Sequence, residues 1–221
     1  MSLSVISKKK LYMKLQCLES FSNPKQHLEQ YPTSSQVAGD ILFDMQTRHD
    51  ALNKKTVADL GCGAGMLTLG AHLLGASFVV GFDIDRDAIA DSQKNLESNF
   101  PLESAATVDL VLCDVTKLTH VNTKPFDTVI LNPPFGANDR SRGIDVEFLK
   151  VALGLSRNHV YSLHKTTTRK HIMKTIQELG AMCEVVAELR FDIPRMYKKH
   201  RQLSKDIAVD FFHSWFERSN T

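Results

Sequence analysis

Apolar positions along this chain recur at two spacings, and the two spacings alternate. Leu11, Leu15 and Leu18 stand at helical intervals until Asn23-Pro24 ends the pattern, so a helix is expected over Lys8 to Phe21. Val37, Ala38, Ile41, Leu42 and Met45 share one face of a second helix, with an N-cap among Thr33, Ser34 and Ser35. From Thr56 onward, short β-branched runs take turns with helical stretches. The runs predict strands at Thr56–Leu60, Phe78–Phe82, Val108–Cys113, Phe126–Leu131, His159–Leu163, Cys183–Leu189 and Asp206–Phe212. Between them, helices are expected at Met66–Leu74, Ala88–Ser98 and Val146–Leu155, and again from Thr166. Thr128-Val129-Ile130-Leu131 shows no polar alternation, as a central parallel strand covered on both faces should. The pattern as a whole is α/β, a doubly wound and mostly parallel sheet.

The fourth of these strands ends in Asn132-Pro133-Pro134-Phe135. Proline has no N–H and restricts the residue before it, so the chain must leave the sheet as an extended loop at the strand's carboxyl end. Open α/β sheets bind ligands at that edge, which makes Asn132, Pro133, Pro134 and Phe135 the candidate catalytic residues. The Asn132 oxygen and the Pro133 carbonyl can accept both hydrogens of a planar amino group, and Phe135 can stack on the ring that carries it. No strong base is needed if the nitrogen attacks first and loses its proton afterwards. An Asn-Pro turn that merely closes a strand is the competing reading.

A second site lies upstream. Gly61-Cys62-Gly63-Ala64-Gly65 follows the first strand, and closely spaced glycines let the backbone turn tightly and a ligand approach it. A dinucleotide fingerprint would read Gly-x-Gly-x-x-Gly. Here the third glycine comes one residue early, and Met66 stands where the dinucleotide glycine belongs. Asp59 precedes the turn, and a carboxylate there repels a pyrophosphate but can bind an ammonium. S-adenosylmethionine is such a ligand. Asp83, at the end of the second strand and roughly 20 residues beyond the turn, is placed to accept from both ribose hydroxyls. Asp85 is expected to cap the next helix. Asp114-Val115 ends the third strand, where a carboxylate could take the adenine amino group, although Asp after a strand often serves only a turn.

Size and composition narrow the class. At 221 residues and 43% hydrophobic content the chain can build one substantial core. Its formal charge of +2 announces no nucleic acid, so any basic surface must be local. Cys17, Cys62, Cys113 and Cys183 lie far apart without a Cys-x-x-Cys pair, so neither a metal site nor a disulfide framework is expected, and a reducing compartment fits. Met1–Lys10 has no apolar core for a signal peptide, and the apolar stretch Met66–Phe82 is broken by His72 and Gly75, so no membrane association is expected.

Asp-Leu-Gly-Cys-Gly-Ala-Gly, Gly-Phe-Asp-Ile-Asp, Cys-Asp-Val and Asn-Pro-Pro-Phe together resemble the class I methyltransferases that act on amino nitrogens. With Glu29-Gln30-Tyr31-Pro32-Thr33 and Tyr161-Ser162-Leu163-His164-Lys165 added, the sequence is similar to the methyltransferase-like protein 5 family from about Leu28 to Phe212. The resemblance implies N6 methylation of adenine in 18S ribosomal RNA with S-adenosylmethionine as cofactor. It also implies a cofactor site lined by Gln30, Thr33, Gly61, Ala64, Met66, Asp83, Asp114 and Val115. Ala64 and Met66 depart from the family's pattern at positions where contacts would be mostly through backbone.

For such a protein the expected strand order is 3-2-1-4-5-7-6 with the seventh strand antiparallel. Residues 1–50 are expected to form a helical arm packed on a methyltransferase domain spanning 51–221. Lys165 should end the fifth strand at the ligand edge, and Arg169 opens a helix, where positive charge opposes the dipole and a nearby phosphate would offset it. Arg195, Lys198, Lys199 and Arg201, in a stretch without acids between the last two strands, overhang the same edge. These six are the candidate contacts to structured RNA, against the plainer reading of solvated loops. The third strand is apolar on both faces and should be the sheet's outer edge, where another strand can add. The resemblance implies that a small zinc-binding activator subunit docks at Val108–Cys113. Nucleus and cytoplasm are the expected locations. Two rivals stand beside this reading: glutamine N5 methylation of a protein, and a non-catalytic RNA-binding factor of ribosome assembly.

Overall fold

The computed structural model describes residues 6–136, 141–194 and 204–217. In chain order these form α1 (Lys8–Leu15), α2 (Ser35–His49), β1 (Thr56–Leu60), α3 (Met66–Leu73), β2 (Phe78–Asp83), α4 (Arg86–Asn99), α5 (Leu102–Ala105) and β3 (Val108–Leu112). They continue with β4 (Phe126–Leu131), α6 (Ile144–Leu155), β5 (Ser156–Lys165), α7 (Arg169–Glu178), β6 (Met182–Pro194) and β7 (Ser204–Trp215). The seven strands make one sheet in the order β3-β2-β1-β4-β5-β7-β6. β1 to β5 pair in parallel, and β7 runs antiparallel to both β5 and β6. No helix among the described residues is long and apolar enough to cross a membrane.

Because side chains alternate across a strand, the central strands feed two cores. Val57 and Ile130 face α1, α2 and α3, while Ala58, Leu60, Val129 and Leu131 face α6 and α7. The unbroken apolar run in β4 therefore has a helical layer on each side, as a strand between two cores requires. Ser34 caps α2 by accepting from Val37 N, and Asp85 caps α4 by accepting from Asp87 N.

Two elements differ in extent from their sequence patterns. α1 stops at Leu15, not at Phe21, because side chains of α4 capture the backbone that follows it. Asn95 accepts from Glu19 N and donates to Glu19 O, both at 2.8 Å, and Asp91 accepts from Ser22 N at 2.9 Å. The chain thus leaves the helix before Pro24 forces it to. The last hairpin is also longer than the apolar runs suggest, since β6 and β7 stay paired, past a register shift between Val185 and Ala187, as far as Pro194 opposite Ser204. Arg190–Pro194 is therefore strand, ending at the same edge as Asn132. Arg195, Lys198, Lys199 and Arg201 follow it and lie outside the described residues.

Leu11 and Leu15 are fully buried in the core shared with α2 and α3. Replacing Leu15 with Ala should lower the unfolding free energy by about 2–5 kcal/mol in urea titrations. A change within about 0.5 kcal/mol would show that the arm is not part of the core.

Candidate active site

The strand order reverses between β1 and β4, so the loops after these neighbouring strands open apart at the sheet's carboxyl edge. A cavity of about 220 Å³ fills the gap. Its wall includes Gly61 to Ala64 on one side and Asn132 to Phe135 on the other.

The glycine turn is held by backbone bonds to β2. Gly61 N and Cys62 N both donate to Phe82 O at 2.8 and 2.9 Å, and Gly63 N donates to Asp83 Oδ2 at 2.9 Å. Gly61 and Gly63 sit at φ 80 and 55, a region costly for residues with a Cβ. Two rings close on the turn as well: a Cβ on Gly63 would meet Phe21 at 2.7 Å, and one on Gly61 would meet Phe148 at 3.2 Å. Gly65 is different. It does not line the cavity, and a Cβ there would run into Ser92 Oγ, so this glycine serves the contact between α3 and α4. Met66 lines the wall beside Ala64, whose carbonyl accepts from Asn95 at 2.9 Å.

Asp59 is 1% exposed and lines the cavity. Thr68 Oγ1 donates to its Oδ2 at 2.7 Å, while Oδ1 has no hydrogen-bond partner among the described residues. Burial pushes the carboxyl up to about 7, against the pull of the Thr68 hydrogen bond. A buried carboxylate oxygen with an open valence fits a ligand ammonium. Asp83, also buried, accepts from Gly63 N and, through Oδ1, from Asp85 N at 2.9 Å. Burial raises its pKa too. A carboxylate has about four acceptor positions, so Asp83 can still accept from a hydroxyl donor.

Asp114 takes the turn role as well as a place in the wall. It caps a 3₁₀ turn by accepting from Thr116 N and Oγ1 at 3.0 and 2.7 Å, and these bonds hold its carboxyl below the ordinary range. Val115 beside it is buried against the cavity.

The roof comes from the segment before α2. Gln30 Nε2 donates to Asp85 Oδ2 at 2.8 Å and Gln30 Oε1 accepts from Lys25 N at 2.7 Å, so this amide fastens the roof to the end of β2. Lys25 adds an ion pair to Asp85. Thr33, assigned to the cofactor by resemblance, also positions the other lip, because its Oγ1 accepts from Asn132 Nδ2 at 2.9 Å. With the nitrogen so engaged, the Asn132 oxygen is left as the acceptor in the cavity wall. Ser141 donates to Glu29, which ties the loop after Phe135 to the same roof.

Of the candidate RNA contacts, Lys165 ends β5 at the cavity edge and is half-buried. Arg169 is committed elsewhere. Its Nε and Nη2 each meet Asp210 at 2.6 Å, and Nη2 reaches Glu188 at 2.9 Å. The helix start tolerates this charge because Asp210, fully buried on β7, neutralises it. Wall residues that sequence patterns did not single out include Phe21, Ile144, Phe148 and Phe191. Phe191 packs edge-on to Phe135 with centroids 6.2 Å apart. Phe148 was visible only as a member of an apolar helix, and Ile144 lay outside the helix expected from Val146, which in the structure starts two residues earlier.

The fold and this cavity define a class I S-adenosylmethionine-dependent methyltransferase. The family profile described as Ribosomal protein L11 methyltransferase (PrmA) matches residues 41–133. The rRNA N(6)-adenosine-methyltransferase METTL5 of Danio rerio is 47% identical over 203 residues, covering 92% of this chain and 96% of that protein. Its counterpart in Drosophila melanogaster is 47% identical over 206 residues, covering 92% and 94%. The chain belongs to the METTL5 family of rRNA N(6)-adenosine methyltransferases. Among solved structures, PH1948 from Pyrococcus horikoshii matches with a TM-score of 0.81 and 32% identity over 97% of this chain and 98% of that one.

If Asp59 holds a ligand ammonium, cofactor binding should depend on pH. Its folded pKa of about 7 lies above the ordinary 3.8, so its contribution to the ligand-free fold is fully present below about pH 4 and is lost as pH rises through 7. An ammonium ligand requires the ionised form. Cofactor affinity should therefore rise with pH and level off above 7, being about tenfold weaker at pH 6 than on the plateau. Calorimetry in buffers of different ionisation enthalpy should detect proton release at pH 6. Affinity that does not change with pH would remove the ammonium-binding role from Asp59.

Proposed function

We propose that this chain methylates adenine N6 in 18S ribosomal RNA. The observation that carries the reading is the pinned amide: Thr33 holds Asn132 Nδ2, leaving an oxygen acceptor across the cavity from the glycine turn. Bound in this cavity, S-adenosylmethionine would supply an electrophilic methyl on its sulfonium, with the neutral thioether as the leaving group. Asp59 would hold its ammonium, Asp83 its ribose, and the backbone of Gly61 to Ala64 would lie along it.

The Asn132 oxygen and the Pro133 carbonyl accept the two hydrogens of the amino group. That orients the nitrogen lone pair toward the methyl carbon, and one N–H proton leaves after the new C–N bond has formed. Phe135, steadied by Phe191, stacks on the base. A paired adenine has its amino group engaged, so the target must be unpaired or turned out of its helix. Proximity and orientation supply most of the rate. Lys165 ends β5 at this edge, and it and the basic residues Arg195, Lys198, Lys199 and Arg201, which follow Pro194 in the sequence, would meet phosphates.

The chain works as the catalytic subunit of a heterodimer in this reading. β3 is one of the sheet's two outer strands, with Val111 37% and Leu112 45% exposed, and α1 packs instead on α2 and α3. A small zinc-binding activator subunit offering a strand of its own would pair there. Nucleus and cytoplasm, where ribosomal RNA is made and used, are the proposed locations.

Asn132→Ala should lower turnover on ribosomal RNA by about 100-fold or more while leaving cofactor affinity nearly unchanged. Equal loss of both would sink the role given to Asn132. Labelled cofactor incubated with total RNA and with protein extract decides the substrate class, since label confined to protein favours glutamine N5 transfer. Mapping N6-methyladenosine in 18S RNA from cells lacking the protein checks the site. For the partner, Leu112→Lys should abolish co-purification of the activator, and undiminished recovery would clear β3 of that role.

A further inference from the structure

The edge of the sheet opposite the cavity carries a second group of reactive side chains. His159 lies near the amino end of β5, Glu184 near that of β6, and His213 near the carboxyl end of antiparallel β7. His49, the last residue of α2, comes down beside them. One ligand atom from each of His49, Glu184 and His213 lies within 4.8 Å of the other two. Glu184 Oε1 is 3.2 Å from His213 Nδ1 and 3.9 Å from His49 Nε2. Ligands about 2.0–2.2 Å from one tetrahedral ion stand roughly 3.3–3.5 Å apart, so small rotations about side-chain bonds bring all three to one point.

The outer nitrogens support the same geometry. His49 Nδ1 lies 2.8 Å from the Tyr161 hydroxyl, and His213 Nε2 lies 3.0 Å from His159 Nδ1. Metal-bound histidines characteristically have their other ring nitrogen fixed in this way. The His213 ring is also held by stacking: Tyr161 lies against it with centroids 4.6 Å apart and planes at 11°, and Trp215 stacks on it at 4.7 Å. Glu184 is half exposed, which gives an ion a path in and leaves room for water.

We propose that His49 Nε2, His213 Nδ1 and Glu184 form a binding site for one divalent transition-metal ion, with water completing the coordination. Imidazole with a carboxylate suits zinc among the common ions. The two histidines are neutral ligands and the carboxylate carries one charge, so the loaded site bears a single net positive charge. Such an ion would join the carboxyl end of α2 to the β6–β7 hairpin, whose other end brings Phe191 to the cavity. No transfer of electrons or groups is involved. None of the three ligands is a cysteine and they are far apart in the sequence, so neither cysteine spacing nor a local motif points to this site.

The full-length chain, stripped with chelator and dialysed, should take up one Zn²⁺ per molecule in calorimetry with zinc chloride alone. Zinc at 100 times its Kd should raise the melting temperature by about 5–10 °C. Cobalt in its place should give visible bands without thiolate charge transfer, since no cysteine is a ligand. Glu184→Gln, at an exposed position that leaves folding intact, should weaken zinc binding by at least about 10-fold, and His49→Gln should do the same. No uptake by the native chain, unchanged affinity in both variants, or thiolate bands with cobalt would each overturn the proposal.

Discussion

Where β1 and β4 end side by side, the chain crosses to opposite faces of the sheet, and no crossover can cover the space between them. That topological constraint creates the cavity before any side chain is chosen. The glycine turn then removes bulk from one lip, and two prolines stiffen the other. A donor and an acceptor group brought to the two lips are held within reach by the spacing of adjacent strands alone.

The sheet supplies a floor and two walls, and everything else that shapes the site is borrowed from distant parts of the chain. Phe21 presses on the glycine turn from the arm, Phe148 from α6, and Phe191 reaches Phe135 from β6. Gln30, Lys25 and Thr33 lash the roof to β2 and β4 through polar contacts. Apolar walls of this kind exclude water from the reacting atoms and strengthen every polar contact among them.

Strand positions and the two motif loops were legible in the sequence, because each is written in a short window of spacing or turn chemistry, whereas the strand order followed from the fold class that those motifs resemble. Asp85 as a helix cap and the Asn-Pro-Pro-Phe exit are of that kind. The aromatic walls were not, since nothing local distinguishes Phe148 from any other core position on α6. Arg169 reads as an exposed cation until Asp210, forty-one residues later, is seen beside it. Gly65 reads like its two neighbours in the turn, although its missing side chain makes room for Ser92 on another helix. α1 ends early for a reason that periodicity cannot carry, namely capture of its exit by Asn95 and Asp91. The histidine group at the far edge was invisible in the same sense, being assembled from α2, β5, β6 and β7.

The roof has an implication for biogenesis. Its segment precedes every strand of the sheet, yet its anchors on α4, β2 and β4 lie 55 to 99 residues further on. During translation the lid emerges first, meets its anchors at β2 and α4 only tens of residues later, and gains its last one when the fourth strand has cleared the exit tunnel. Assembly of the pocket therefore runs backwards relative to synthesis, and a nascent chain halted before Asn132 has neither the Thr33 latch nor the lip that would take the acceptor amine.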